Sequence, residues 1–279
     1  MSSPRLLAVD LDGTLLARNG APHEADVKAL RAAREAGVVV TILTGRLVAG
    51  TRAAARALGL TGPMGCSDGA HIVHAVTESA LLHRTMAGPL AAQLQQHFIR
   101  SALPTFLFLG DTVVHDHSGE PYLDYFRTWS PQLERSKSVH THDAWSDEVG
   151  VTGVIAVGDE GPIRGTSEAI RSELAGQAQV LSFPIGASGS WGMIARAFDV
   201  SKGTALRFIA NHAQVAMADT VAVGDWLNDL PMFEAAGRSY AMGQAPDAVK
   251  GAVTEVLPET AETGGGIARV VREVFGISS

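Results

Sequence analysis

The chain has 279 residues, 46% of them hydrophobic and 18% charged, with a formal net charge of −7. These values exclude a disordered polymer, and the lack of any lysine or arginine block excludes an extended nucleic-acid footprint. No apolar run is long enough to span a bilayer, no long apolar h-region follows Arg5, Asp10 and Asp12 near the N-terminus, and the single cysteine, Cys66, permits no internal disulfide; a cytoplasmic protein of one or two domains is expected.

Leu6 to Val9 is a short apolar run of the kind that forms a buried strand. It ends in Asp10, Leu11, Asp12 and Gly13, where glycine permits a sharp bend. A buried strand ends in two carboxylates only where something cationic meets them. Magnesium is the matching ion, a hard cation that accepts a few carboxylates and leaves positions for phosphate oxygens. The pattern next predicts a helix from Glu24 to Ala36 stopped by Gly37, a strand from Val38 to Leu43, and a helix from Val48 to Leu58. This alternation of strand and helix, with continuous apolar strands, argues for a parallel sheet covered on both faces.

Near residue 84 the segments change. A helix over Pro89 to Ser101 precedes strands at Thr105 to Leu109 and Thr112 to His115, joined by a Gly110-Asp111 hairpin turn. The stretch from Ser118 to Asp147 is polar and carries aromatics. Val151 to Val157 reads as strand, Pro162 to Leu174 as helix, and Gln179 to Phe183 and Trp191 to Ala195 as strands. The first pattern resumes with a helix at Lys202 to His212, a buried strand at Thr220 to Val223 and a helix at Leu230 to Ala236. Short apolar segments at Ser239 to Met242 and Val253 to Val256 follow, with a last helix at Ile267 to Phe275. The expected architecture is α/β: a doubly wound, parallel-sheet, Rossmann-like core over residues 1–84 and 197–279, interrupted by an inserted α+β domain over residues 85–196.

Four strand ends or helix starts carry the polar groups of a phosphoryl-transfer site, and in open α/β sheets such ends meet in one crevice. They are Asp10 with Asp12; Thr44-Gly45, a hydroxyl with exposed amides suited to phosphate oxygens; Lys202 at a helix start, where ammonium and helix N-terminus both favour an anion; and Gly224 to Asp229, whose acids at 225 and 229 can complete a metal site facing Asp10.

In this order, DLDGT, TGR, SKG and GDxxND resemble the four motifs of the haloacid dehalogenase superfamily of phosphatases. The insert resembles the subclass IIB cap of Cof-like sugar-phosphate phosphatases, and AMGQAPDAVK, Ala241 to Lys250, is similar to a further Cof-like pattern. Any one motif is weak and the set is specific. The resemblance implies that Asp10 is the nucleophile of an aspartyl-phosphate mechanism and Asp12 the acid and then the base. It also implies that magnesium is held by Asp10, the main-chain carbonyl of Asp12, Asp225 and, directly or through water, Asp229. Thr44, Gly45 and Lys202 would hold the phosphate, with Asn228 orienting Lys202 or the phosphate itself. The implied partner is a small phosphorylated metabolite, a sugar phosphate first of all, acted on by a monomer or homodimer, with a cap that excludes water. His117, Tyr122, Arg127 and Ser188 are candidate cap contacts. Two departures stand out: Asp68, in SDGA where Cof-like chains commonly carry NGA, is expected to alter a contact near the hinge or the substrate entrance, and Trp226 stands where a small residue is frequent.

Plainer readings apply to the remaining motifs. Asp159, after Val157-Gly158, lacks a second acid and reads as a turn residue; Cys66, Trp191 and Met193 read as core. The pairs His115/His117 and His140/His142 have strand-face spacing, but no third zinc ligand accompanies them. Rival functions are a phosphomutase of the same superfamily, a dehalogenase (which needs neither Asp12 nor magnesium) and, from a different class, a phosphate-binding receiver or sensor without turnover. The receiver lacks an Asp-x-Asp pair and a large insert.

Overall fold

The computed structural model describes residues 5–146, 150–186 and 189–278. They form two compact units, one from the residues up to Gly45, Thr51–Leu81 and Ser201 onward, the other from Arg46–Gly50 and Leu82–Val200.

The first unit is built on a five-stranded sheet in the order Glu255–Val256, Arg238–Ala241, Thr220–Gly224, Leu6–Val9, Val39–Ile42, parallel throughout. Every side chain of Leu6–Val9 and of Thr220–Gly224 is buried, as continuous apolar runs in a two-sided sheet require. Val9 pairs with Val223 on one side and Ile42 on the other, so Asp10, Leu43 and Gly224 leave the sheet at one level. The chain passes from Leu6–Val9 outward to Val39–Ile42 and later returns to Thr220–Gly224 on the other flank. The two central strands thus flank a topological switch point, where ligands bind in open α/β sheets. A parallel bridge from Leu43 to Gly65 continues the sheet into Pro63–Cys66, which heads a three-stranded sheet with His71–His74 and Ala80–His83.

Helices pack in pairs: Glu24–Glu35 with Gly266–Phe275, and Lys202–His212 with Leu230–Ala235. The first pair is tied by Asp26, a buried carboxylate that accepts hydrogen bonds from Gly265 N at 2.9 Å and Ala268 N at 2.8 Å. It satisfies two of the four orphaned amides at the start of the last helix. Cys66 is fully buried.

In the second unit a six-stranded sheet runs in the order Ala178–Ile185, Ser190–Ala197, Gly153–Gly158, Thr105–Leu109, Thr112–His115, Gln132–Arg135. It is antiparallel except for its last pair. Alternation along Thr105–Leu109 sorts the core. Leu107 packs with Leu94, Phe98, Ile163 and Ile170 of the helices Gly88–Ser101 and Glu160–Glu173, whereas Phe106 and Phe108 join Phe126 on the other side. The rings of Phe106 and Phe126 stack at 3.7 Å. Met193 is core, and Trp191 is partly buried with the Arg164 guanidinium 4.5 Å from its ring centroid.

Residues 46–50 belong to this second unit. Leu47 is buried in the aromatic cluster, its amide donates to the Trp129 carbonyl at 2.9 Å, and the Ala49 amide donates to Asp111 Oδ1 at 3.0 Å. The polar stretch Ser118 to Asp147 contains a short helix, Leu123–Arg127, and the edge strand Gln132–Arg135. Asp159 precedes the helix Glu160–Glu173. His115 is buried beside the Asp116 carbonyl, while His117 pairs with Glu120 at 3.1 Å. Among the described residues no helix is long and apolar enough to cross a membrane.

Candidate active site

Asp10 follows the central strand directly, held by its amide's bond to the Val223 carbonyl at 3.0 Å, and is 4% exposed. Lys202 begins its helix one residue after Ser201, which closes a capping box with Thr204. That box fixes where the helix starts, and so where the lysine points. Its ammonium is buried and donates to Asp10 Oδ1 at 2.5 Å and Asp229 Oδ1 at 2.6 Å. Asp229 Oδ2 accepts the amides of Asp225 at 2.9 Å and Trp226 at 3.0 Å. Asp225 is held at both oxygens, Oδ1 by Thr14 Oγ1 at 3.2 Å and Oδ2 by Gln244 Nε2 at 3.2 Å. Gly13, at φ +82°, lies so close that a Cβ built there would sit 2.2 Å from Asp225 Oδ2. Only glycine allows the turn after Asp12 to meet Asp225.

Oxygens of Asp10, Asp225 and Asp229 come within 4.8 Å of one another, the one such group of three potential ligands among the described residues. Three buried carboxylates face one ammonium. Burial raises the Asp10 carboxyl well above the usual carboxylate range; Lys202 opposes this, and Asp229, Asp225 and Asp12 reinforce it. Burial and Asp229 push Asp225 up to about 7. Burial works against the Lys202 ammonium, but Asp10 and Asp229 outweigh it and hold its pKa above the ordinary lysine value. An all-oxygen donor set with more negative charge than its lysine neutralises fits a hard divalent cation.

Of the residues named from sequence, Asp10, Lys202, Asp225 and Asp229 therefore share one nest. The Asp12 side chain is exposed, two residues along the turn from Asp10. Thr44 is buried beyond the strand Val39–Ile42; its amide donates to the Gly65 carbonyl and its carbonyl accepts from Asp68 N. Gly45 is the last residue of its segment in the first unit. Asn228 Nδ2 donates to Asp68 Oδ1 at 2.9 Å. Trp226 is half-buried. Within the second unit, His117 lines a cavity of about 370 Å³ with Arg135, Ser136 and Lys137, Tyr122 packs against the aromatic cluster, and Arg127 pairs with Asp124 at 3.0 Å. Ser188 lies outside the described residues.

Two supports of Asp225 were missed by the motif reading. Thr14 is the last letter of DLDGT, and Gln244 falls inside AMGQAPDAVK. Gln244 also donates to the Gly13 carbonyl and accepts from Ala261 N at 3.2 Å, tying three loops together. The only signal for either was the resemblance of those strings.

Residues 7–271 match the model of the haloacid dehalogenase-like hydrolases. Pyridoxal phosphate phosphatase YbhA of Escherichia coli is 28% identical over 266 residues, covering 91% of this chain and 93% of that protein. Phosphatase YwpJ of Bacillus subtilis is 27% identical over 264 residues, covering 88% and 92%. The fold is shared with the subclass IIB sugar phosphatase BT4131, at a TM-score of 0.80 and 19% identity over 98% of this chain and 99% of that one. The chain belongs to the haloacid dehalogenase-like hydrolases and is an enzyme of their phosphatase type.

Proposed function

We propose that the protein is a magnesium-dependent phosphomonoesterase for small phosphorylated metabolites, sugar phosphates first, working in the cytoplasm through an aspartyl-phosphate. The observation that carries this reading is the nest itself: three buried carboxylates with oxygens within 4.8 Å, two of them bridged by one buried lysine. Asp10, Asp225 and Asp229, with the main-chain carbonyl of Asp12, would hold the ion. When bound, magnesium offsets the repulsion between carboxylate and phosphate and stabilises charge on the transferring group.

Lys202 holds Asp10 Oδ1, which leaves Oδ2 to attack phosphorus. The bond to the ester oxygen breaks as that to Oδ2 forms, and Asp12 gives its proton to the departing alkoxide. Asp12, now ionised, takes a proton from water; the hydroxide attacks phosphorus, the phosphorus–Oδ2 bond breaks, and inorganic phosphate leaves with Asp10 restored. The exposed position of Asp12 suits a group that must exchange protons with solvent. Thr44, Gly45 and Lys202 would hold the remaining phosphate oxygens, with Asn228 placed by Asp68. The second unit would serve as the cap that shapes the leaving-group side, a role supported by its place between the second and third motifs.

The names of the relatives support a small phosphorylated substrate, since YbhA is a pyridoxal phosphate phosphatase and BT4131 a sugar phosphatase. A phosphate-release screen across phosphorylated sugars, pyridoxal phosphate and other small esters, with magnesium and with EDTA, tests the reading. Release confined to the magnesium arm is expected. Return of the phosphoryl group to a second hydroxyl would make the enzyme a mutase, and a phosphorylated Asp10 that never turns over would make it a receiver.

A further inference from the structure

Ser67, Asp68 and Gly69 have φ of +51°, +52° and +101°, three consecutive residues in the left-handed region at the end of the strand Pro63–Cys66. Two of them carry side chains, for which this backbone is unfavourable, though aspartate tolerates it better than most. Such strain persists only where the surroundings enforce it, and it clusters at working sites. Here the enforcement is visible. The Asp68 amide donates to the Thr44 carbonyl at 2.8 Å. A Cβ at Gly69 would lie 2.6 Å from the Ser201 carbonyl oxygen, so the elbow is pressed onto the start of the Lys202 helix. Ser67 Oγ is buried there with no hydrogen-bond partner among the described residues. The product of this distortion is one placement: a carboxylate, 6% exposed, beside Asn228 and near enough to Lys202 to act on its charge.

We infer that Asp68 is a positioning residue of the phosphate site, whose carboxylate fixes the Asn228 carboxamide, Nδ2 inward, so that its Oδ1 is presented on the other side and its second N–H stays available to the bound phosphate. This inference rests on the phosphatase reading and deepens it. An acceptor is needed at position 68; a charge is not. The charge has its own effect, since it adds a fourth carboxylate to Asp10, Asp225 and Asp229 around Lys202 and weakens the pull of that ammonium on an incoming phosphate. Asp68 therefore orders the site while moderating its grip, which favours release of the product.

The test uses the full chain with magnesium, p-nitrophenyl phosphate as the turnover probe, and inorganic phosphate as the ligand in calorimetry. Asp68→Gly removes the carboxylate without backbone strain and should raise KM by roughly tenfold, the scale of one lost hydrogen bond to a charged group, with kcat changing less. Asp68→Asn keeps an acceptor and should restore KM to the native value or below, binding inorganic phosphate several-fold more tightly. In an Asn228→Ala background, Asp68→Gly should cause no further loss, because the two position the carboxamide as one unit, and only the tightening from the removed charge should remain. The inference is overturned if Asp68→Gly leaves KM and phosphate affinity unchanged, if Asp68→Asn resembles Asp68→Gly, or if the two losses add. Should Asp68→Gly fold poorly, Asn228→Ala alone must reproduce the KM effect. A native enzyme that turns over no phosphomonoester would instead sink the phosphatase reading, with phosphate calorimetry still deciding the role of Asp68.

Discussion

In the first unit, Asp10, Asp68, Asp225 and Asp229 are buried around Lys202 just beyond strands that are themselves buried and almost wholly apolar. The second unit fills the equivalent depth with Phe106, Phe108 and Phe126, and its buried titratable groups include His97, which borders Glu173 at 3.3 Å, and His115. One interior is held against electrostatic cost by hydrogen bonds and an ion pair, the other by stacked rings. The lesson is that their responses to a cation, to pH and to truncation should differ in kind.

The largest expected effect is on turnover. Asp10→Asn should reduce phosphate release by roughly 10⁴-fold or more, as loss of a nucleophile does in other hydrolases, and substantial residual release would remove Asp10 from that role. Lys202→Met should come next, because it strands Asp10 and Asp229. Breaking a buried ion pair on one side costs about 3–5 kcal/mol, read as a lower denaturation midpoint, and magnesium should recover part of it. Phe106→Ala should cost about 3–5 kcal/mol by truncating a core ring, with no recovery by magnesium. Equal rescue of both variants would erase the contrast between the units.

The pH responses sharpen it further. In the metal-free chain Asp225 titrates near 7 against an ordinary 3.8, so between about pH 4 and 7 the folded state binds more protons than the unfolded one. Stability of the first unit therefore falls as pH rises through that window, and magnesium should stabilise it more at pH 8 than at pH 5. In the second unit burial holds His97 and His140 below the usual 6.5. There the unfolded state binds more protons, so stability falls on acidification below about pH 6.5. Hydrogen exchange followed segment by segment at pH 5 and 8, with and without magnesium, would detect both trends. The smallest effect is expected at Asp26→Ala, about 1 kcal/mol for a lost helix cap, visible as faster exchange at Gly265 and Ala268.

The parts of this fold legible in the sequence were those whose cause is local. Leu6–Val9, Val39–Ile42 and Thr220–Gly224 announce themselves as short apolar runs, and Lys202–His212 by its capping serine. Gln132–Arg135 and Ala80–His83 escaped notice because they lie at sheet edges with largely exposed or half-exposed side chains, so neither alternation nor a continuous apolar run marks them. In the site, the acids and the lysine could be named because each follows a strand or starts a helix. Asp26 could not be, for it looks like an ordinary first-turn acid yet serves a helix 239 residues away. Gln244 and Thr14 are legible only as letters in a familiar string, since what they touch is decided by the return of distant loops.

The short segment Arg46–Gly50 changes how this molecule can be cut and recombined. Its Leu47 sits among the rings of the second unit, although more than thirty residues separate it from the rest of that unit. A gene fragment beginning at residue 82 would encode a body with a vacant socket in its aromatic layer and an unanswered Trp129 carbonyl, and should express poorly unless a peptide carrying residues 46–50 is supplied. Chimeras that graft this insert onto another scaffold should need both pieces transplanted together, making the unit of exchange two stretches of chain rather than one.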